Sequence, residues 1–313
     1  MAFKRVPQKF NSAIGEVTFG VGDKAVTIGG NCTFPMYNFD AEAKNRPALG
    51  LEITDKGVDT SLPGIAEAFA GCETLAQIAA KASSIPGVDF LALYLESSDP
   101  NGADMSVEDC VAVCKEVADN TDLPLVIEGS KNADKDKAVF NAVAQALEGK
   151  NALFMSARED NYKNLSASVG QAYNQKLAGE SAVDINLAKQ LNVMISQAGL
   201  GLNNVVMHLG SAAAGYGFEY VVSTMDRVRA AALAQDDKML QLPIITPVGN
   251  DAWSVKEALV SEEDFPEWGP VEDRGVQMEV TTAASCLAAG SDAVILKHPK
   301  SIAALAEIVA ALN

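Results

Sequence analysis

From residue 48 onward, a short apolar run followed by a stretch with helical spacing recurs eight times. The runs are "ALGLEITD" (48–55), "VDFLALYLES" (88–97), "LPLVIEGS" (123–130), "NALFMSAR" (151–158), "KLAGESA" (176–182), "NNVVMHLG" (203–210), "LPIITPVG" (242–249) and "SDAVILKHP" (291–299). Near-continuous apolar runs are strands buried on both faces, and strands alternating with helices make a parallel sheet. Eight is the number that closes such a sheet, so the pattern predicts a (β/α)8 TIM barrel. An open doubly wound sheet is the competing arrangement.

Local signals place the helices. The first unit predicts a helix within 64–83. After the second strand, Ser106 followed by Asp109 resembles a capping box. After the third, apolar residues at 139, 140, 143, 146 and 147 keep helical spacing up to Gly149. A short helix is expected near 164–173, and a long one from about 217, apolar at 218, 221, 222, 225, 228 and 232. Ahead of the barrel, "EVTFGVGDKAVTIGGN" (16–31) reads as a β-hairpin turning at "VGDK", where Gly22 can take positive φ. The expected division is an N-terminal segment, 1–47, whose hairpin caps the barrel bottom, and a barrel, 48–313, forming one structural domain with it.

Composition removes several function classes. A net charge of −17 is the wrong sign for nucleic-acid binding. No apolar run approaches the roughly 20 residues of a membrane span, and "MAFKRVPQKF" lacks the apolar core of a secretory signal, so a cytoplasmic protein is expected. Cysteines stand at 32, 72, 110, 114 and 286 with no C-x-x-C pair, as expected of reduced thiols. Cys110 and Cys114 share a helix face, which suits interface packing better than a metal pair. No four-cysteine set for an iron–sulfur cluster exists.

Sites in such barrels lie at the C-terminal ends of the strands. There the sequence places Glu52, Glu96, Glu128, Ser156, Arg158, Glu180, His208, Thr246, Lys297 and His298. They form either a binding site or an internal ion-pair network in which the carboxylates satisfy one another's counter-charges. Glu96 or Glu128 would serve as an acid or base if burial raised its pKa; Lys297 is a Schiff-base candidate or, more simply, a counter-charge. Two histidines are too few for a histidine-built metal site, and no catalytic or metal-ligating residue is assigned.

The loop "GSAAAGYGFEY" after the sixth strand has G-x-G but Tyr220 where a dinucleotide fingerprint needs its third glycine, and no G-K-[ST] follows. It is therefore no phosphate cradle. Gly210, Gly215 and Gly217 permit close backbone approach, and Tyr216 offers a ring for stacking.

Three segments carry a resemblance: "FPMYNFDAEAKNRPALGLEITD" leading into the first strand, "GYGFEYVVSTMDRVRAAAL" after the sixth, and "DAWSVKEA" after the seventh. In that order the chain resembles the small subunit of the corrinoid/iron–sulfur protein of the Wood–Ljungdahl acetyl-CoA pathway, with the delta subunit of acetyl-CoA decarbonylase/synthase as archaeal counterpart. The resemblance implies a barrel paired 1:1 with a large subunit that carries the corrinoid domain and a [4Fe-4S] cluster. It implies further that the barrel mouth covers the upper face of the cobalamin. The methyl group would pass from methyltetrahydrofolate, through a methyltransferase, to acetyl-CoA synthase. On this reading the chain is a non-catalytic subunit, with neither nucleic-acid nor membrane partners. Strand-end position makes Glu96, Asn101, His208, Ser211, Tyr216, Thr246, Asn250 and Lys297 the residues expected near the cofactor.

Two enzymatic readings compete. A pterin-dependent methyltransferase would bind methyltetrahydrofolate in its own barrel, anchored by Asp99 with Asn101 or by Glu128. An aldolase-like barrel would use Lys297.

Overall fold

The computed structural model describes residues 6–312. Eight parallel strands follow a two-stranded hairpin: β1 (Glu16–Phe19) and β2 (Val26–Gly29) pair antiparallel. The barrel strands are β3 (Ala48–Thr54), β4 (Phe90–Tyr94), β5 (Leu125–Glu128), β6 (Leu153–Ala157), β7 (Lys176–Glu180), β8 (Val205–His208), β9 (Ile245–Pro247) and β10 (Ala293–Leu296). They run in the order β8-β7-β6-β5-β4-β3-β10-β9, and one bridge, Met207 to Ile244, brings β8 back against β9. There Met207 N donates to Pro243 O at 2.7 Å. The seam is short: Pro243, just before β9, and Pro247, its last residue, have no N–H to donate.

The principal crossover helices are α1 (Leu75–Ser83), α2 (Val107–Asp119), α3 (Ala133–Ala146), α4 (Tyr162–Leu165), α5 (Ile185–Gln197), α6 (Phe218–Ala234), α7 (Val271–Ala289) and α8 (Pro299–Leu312). Ser106 Oγ accepts from Asp109 N at 3.0 Å, as the capping pattern predicted. Two expectations need correction. The helix expected in 64–83 is broken into a single turn, Ile65–Ala68, and α1, because Gly71 takes φ +83° and Thr74 caps a fresh start with Gln77. The short helix near 164–173 begins at Tyr162 and loosens into a π-helical segment over Ser166–Ala172.

The hairpin closes the N-terminal end of the barrel. Val17, Phe19 and Ile28 are buried against Ala48, Phe90, Leu153 and Ala293, each at the start of its strand. Phe19 meets Phe90 edge to face at 5.4 Å between centroids. Gly50 makes room for this ring: a Cβ there would stand 2.1 Å from Phe90 Cε2. Asn151, just before β6, clamps the hairpin by donating from Nδ2 to the carbonyls of Thr18 and Gly20, both at 3.0 Å.

Period-two alternation then sorts each strand by height. Gly50, Ala92, Val126, Ala178 and Val206 belong to the inward-facing set, and two residues further along the same strands stand Glu52, Tyr94, Glu128, Glu180 and His208. A small apolar layer thus lies directly beneath a polar one.

Candidate functional site at the barrel mouth

The polar layer opens into a cavity of about 470 Å³ whose lining includes Tyr94, Glu128, Ser156, Arg158, Glu180, His208, Ser211 and Asn250. On one side, Arg158 grips Glu180 Oε2 through Nη2 at 2.9 Å and Nε at 3.2 Å, while its Nη1 donates to Lys131 O at 2.8 Å. His208 Nδ1 lies 3.3 Å from Ser156 Oγ and 3.6 Å from Glu180 Oε2. Burial alone would raise the pKa of Glu180. The His208 ring and the Arg158 guanidinium outweigh that and hold its carboxyl well below the usual carboxylate range.

On the other side, Glu52 takes Lys297 Nζ at 3.4 Å and Asn250 Nδ2 at 3.2 Å. The turn after β10 that presents Lys297 is anchored from α7: the fully buried Glu279 accepts from Lys297 N at 2.6 Å and from His298 N at 3.3 Å. Burial pushes the carboxyls of Glu52 and Glu279 upward. Between the two ion pairs stands Glu128. It forms no ion pair among the described residues, and its Oε1 is buried with no hydrogen-bond partner. Burial first, and then the charge of Glu52, push its pKa up to about 8.

The second histidine belongs to the wall. His298 Nδ1 accepts from Lys300 N at 3.1 Å, so Nε2 carries the proton and donates to Pro63 O at 3.0 Å. Its ring stacks on Trp253 at 5.6 Å. Cys110 and Cys114 are buried between helix and sheet; burial pushes the Cys110 thiol up to about 11 and the Cys114 thiol higher still. No group of three or more His, Cys, Asp or Glu side chains among the described residues is arranged to hold a metal.

Of the residues expected near the cofactor, His208, Ser211 and Asn250 line the cavity, beside the strand-end residues Glu128, Ser156, Arg158 and Glu180. Lys297 stands behind Glu52, on a crevice shared with Asp59 and Leu62. Glu96 lies outside the cavity on the rim, paired with Lys56 at 2.9 Å. Asn101 is exposed and folds back on Asp99, its N at 2.9 Å and Nδ2 at 3.2 Å from Oδ1. Tyr216 is 48% exposed and donates its hydroxyl to Glu257 at 2.6 Å. Thr246 is not at the mouth at all. Alternation turns Ile245 and Pro247 inward, and Thr246 points away, fully buried, to Ser291 Oγ at 2.9 Å. Asp136, which also lines the cavity, escaped notice because it sits in the first turn of α3 rather than on a strand; it accepts from Ser130 N at 2.9 Å and Oγ at 3.0 Å. The glycine loop does use positive φ, 96° at Gly210, 86° at Gly215 and 81° at Gly217.

Residues 16–309 match the family described as CO dehydrogenase/acetyl-CoA synthase delta subunit. The chain belongs to this family. Delta subunits of the acetyl-CoA decarbonylase/synthase complex are similar to it across archaea: that of Archaeoglobus fulgidus is 30% identical over 92% of this chain and 64% of its own length. That of Methanocaldococcus jannaschii is 30% identical over 96% and 74%. This member of the delta family thus spans about two thirds of the length of the curated relatives it matches. Solved structures show the same barrel: dihydropteroate synthase of Yersinia pestis with a sulfonamide drug (TM-score 0.55, 16% identity, 85% of this chain and 93% of that one) and of Coxiella burnetii with pteroic acid (TM-score 0.54, 12% identity, 84% and 92%). At such identities the likeness is one of fold.

Proposed function

We propose that this chain is the small subunit of a heterodimeric methyl carrier, its barrel mouth covering the upper face of a cobalamin held by a large corrinoid/iron–sulfur subunit. The methyl group would come from methyltetrahydrofolate through a methyltransferase and go to acetyl-CoA synthase. The observation that carries this reading is the polar mouth, with buried hydrogen-bonding atoms left over at Glu128 Oε1 and Ser211 Oγ. Those atoms fit the amide-bearing periphery of a corrinoid. The same surface offers little to a metal centre, since His208 is engaged by Ser156 and Glu180, and His298 by Pro63 and Lys300.

When bound, the corrinoid supplies the cobalt that accepts and releases the methyl group. The chain's own part is to exclude water and to fix orientation. Glu128, Ser211 and Asn250 would contact the macrocycle's edge, and the ion pairs Arg158–Glu180 and Lys297–Glu52 keep the mouth rigid. Tyr216 and the exposed Tyr220 would extend the contact along the rim. Among the described residues no helix is long and apolar enough to cross a membrane. The proposed setting is cytoplasmic.

Co-expression with the large subunit tests the reading. The expected result is a 1:1 complex containing cobalt and iron, while the chain purified alone binds neither. Micromolar binding of methyltetrahydrofolate by the isolated chain, read by titration calorimetry, would overturn it in favour of a pterin-dependent methyltransferase.

A further inference from the structure

Glu128 is nine-tenths buried, lines the mouth cavity and stands between two ion pairs without joining either. A carboxyl buried without a counter-charge is neutral, so it offers a hydroxyl donor and a carbonyl acceptor side by side. Ser211, on the same cavity, has a hydroxyl that is buried and equally unpartnered. Of the other acids on the cavity, Glu180 is committed to Arg158 and Asp136 to the amide and hydroxyl of Ser130, while Asp251 is only half-buried. What is missing is a neutral group with an adjacent donor and acceptor. A primary carboxamide is such a group: its N–H donates to the Glu128 carbonyl and its oxygen accepts from the Glu128 hydroxyl.

We infer that the mouth cavity is a receptor for a primary carboxamide, bound edge-on by Glu128 with Ser211 as its second partner. Only the identity of the amide's carrier rests on the function proposed above. A corrinoid bears several such side chains at its rim, and one of them entering this cavity would set the register of the macrocycle on the barrel.

Burial, together with the negative charges of Glu52 and Glu180, favours the neutral state of the Glu128 carboxyl against the opposing pull of Lys131 and Lys297. It is faced by Glu52 and Lys297 from one side and by Lys131 and Glu180 from the other. Arg158 and His208 are turned to Glu180, while Tyr94 and Asp251 close the remaining wall. With its pKa near 8, Glu128 is protonated at neutral pH and ionises above it.

The test uses the isolated full chain and three small probes, propionamide, propionamidinium and propionate, followed by ligand-observed NMR. Propionamide is expected to bind with a Kd on the order of 1–10 mM, as suits a five-heavy-atom fragment, and the two ions at least tenfold more weakly. Its affinity should fall roughly tenfold between pH 7 and pH 9. Glu128→Gln presents the same donor and acceptor without titrating, so it should bind within about threefold of wild type and lose the pH dependence. Glu128→Leu should abolish binding, and Ser211→Ala should weaken it several-fold. Tighter binding of the amidinium, or undiminished propionamide binding by a Glu128→Leu protein with native near-ultraviolet circular dichroism, would overturn the inference. Because no second subunit takes part, the outcome is independent of whether the chain assembles with a corrinoid protein.

Discussion

The two ends of the barrel interior solve opposite problems with the same strands. At the N-terminal end, Phe19 and Phe90 fill the bore and Gly50 yields the space for them, so the floor is dry and closely packed. At the C-terminal end, beyond a layer of small apolar residues, the bore is polar: Glu180 is held by Arg158 and Glu52 by Lys297, while Glu128 is buried with no partner for its Oε1. Packing leaves no freedom at the floor, whereas the mouth keeps a hydrogen-bonding requirement that only an outside group can meet. Stability and function are therefore separated by height along the strands.

The most severe way to break this division is at the floor. Gly50→Leu places its Cβ within the Phe90 ring and should destabilise the fold by about 3 kcal/mol or more, read by denaturant unfolding. Phe19→Ala should cost a comparable ~3–5 kcal/mol by opening a cavity in the plug, and neither change should alter the chemistry of the mouth in whatever fraction remains folded.

At the mouth, a change can instead stabilise. The folded-state pKa of Glu128 is raised, so its contribution is greatest at acid pH and is lost as pH climbs through about 8. Glu128→Gln removes that loss, and the variant should be more stable on the order of 2–3 kcal/mol at pH 8, the advantage narrowing towards pH 5. Unchanged melting temperatures at both pH values would erase the contrast between floor and mouth. Glu180 has the opposite sign. Its pKa is depressed, so its contribution is complete above the ordinary carboxylate range and is lost only as strong acid protonates it. Glu180→Gln should cost about 1–3 kcal/mol at pH 7, because the part-buried Arg158 keeps its place without a counter-charge, and the cost should shrink below pH 4 in acid-titration melts. The smallest effect belongs to the rim. Lys56→Ala breaks an exposed pair with Glu96 and should leave the melting temperature unchanged within error.

Much of this was legible in the sequence because burial on both faces writes itself into strands as unbroken apolar runs. The eight units and the positions of the strand ends follow from that pattern, and the hairpin from its turn at "VGDK". Breaks inside a helical pattern did not: Gly71 and Thr74 split one helix, and nothing in the spacing of 64–83 distinguishes a split from a continuous run. Thr246 shows the matching weakness at a strand end. Position along β9 is readable, but which face a residue takes depends on register, and a strand of three residues sets its register through its neighbours. For Glu128 the sequence supplied the location but not the isolation, since having no partner is a property of three dimensions. Asp136 was hidden for the same reason, brought to the cavity by the packing of α3 and not by any strand end.

The seam between β8 and β9 has a consequence for breathing. Every other junction of the barrel is a ladder of at least three residue pairs, whereas this one hangs on a single bridge beside Pro243. Local opening is cheapest where the fewest backbone hydrogen bonds must break. Amide hydrogen exchange should therefore begin at Met207 and spread from there, directly below the glycine loop that ends β8. A protein docked on that rim would act as a staple across the split, so slowed exchange at the seam is a sensitive reporter of what sits above it.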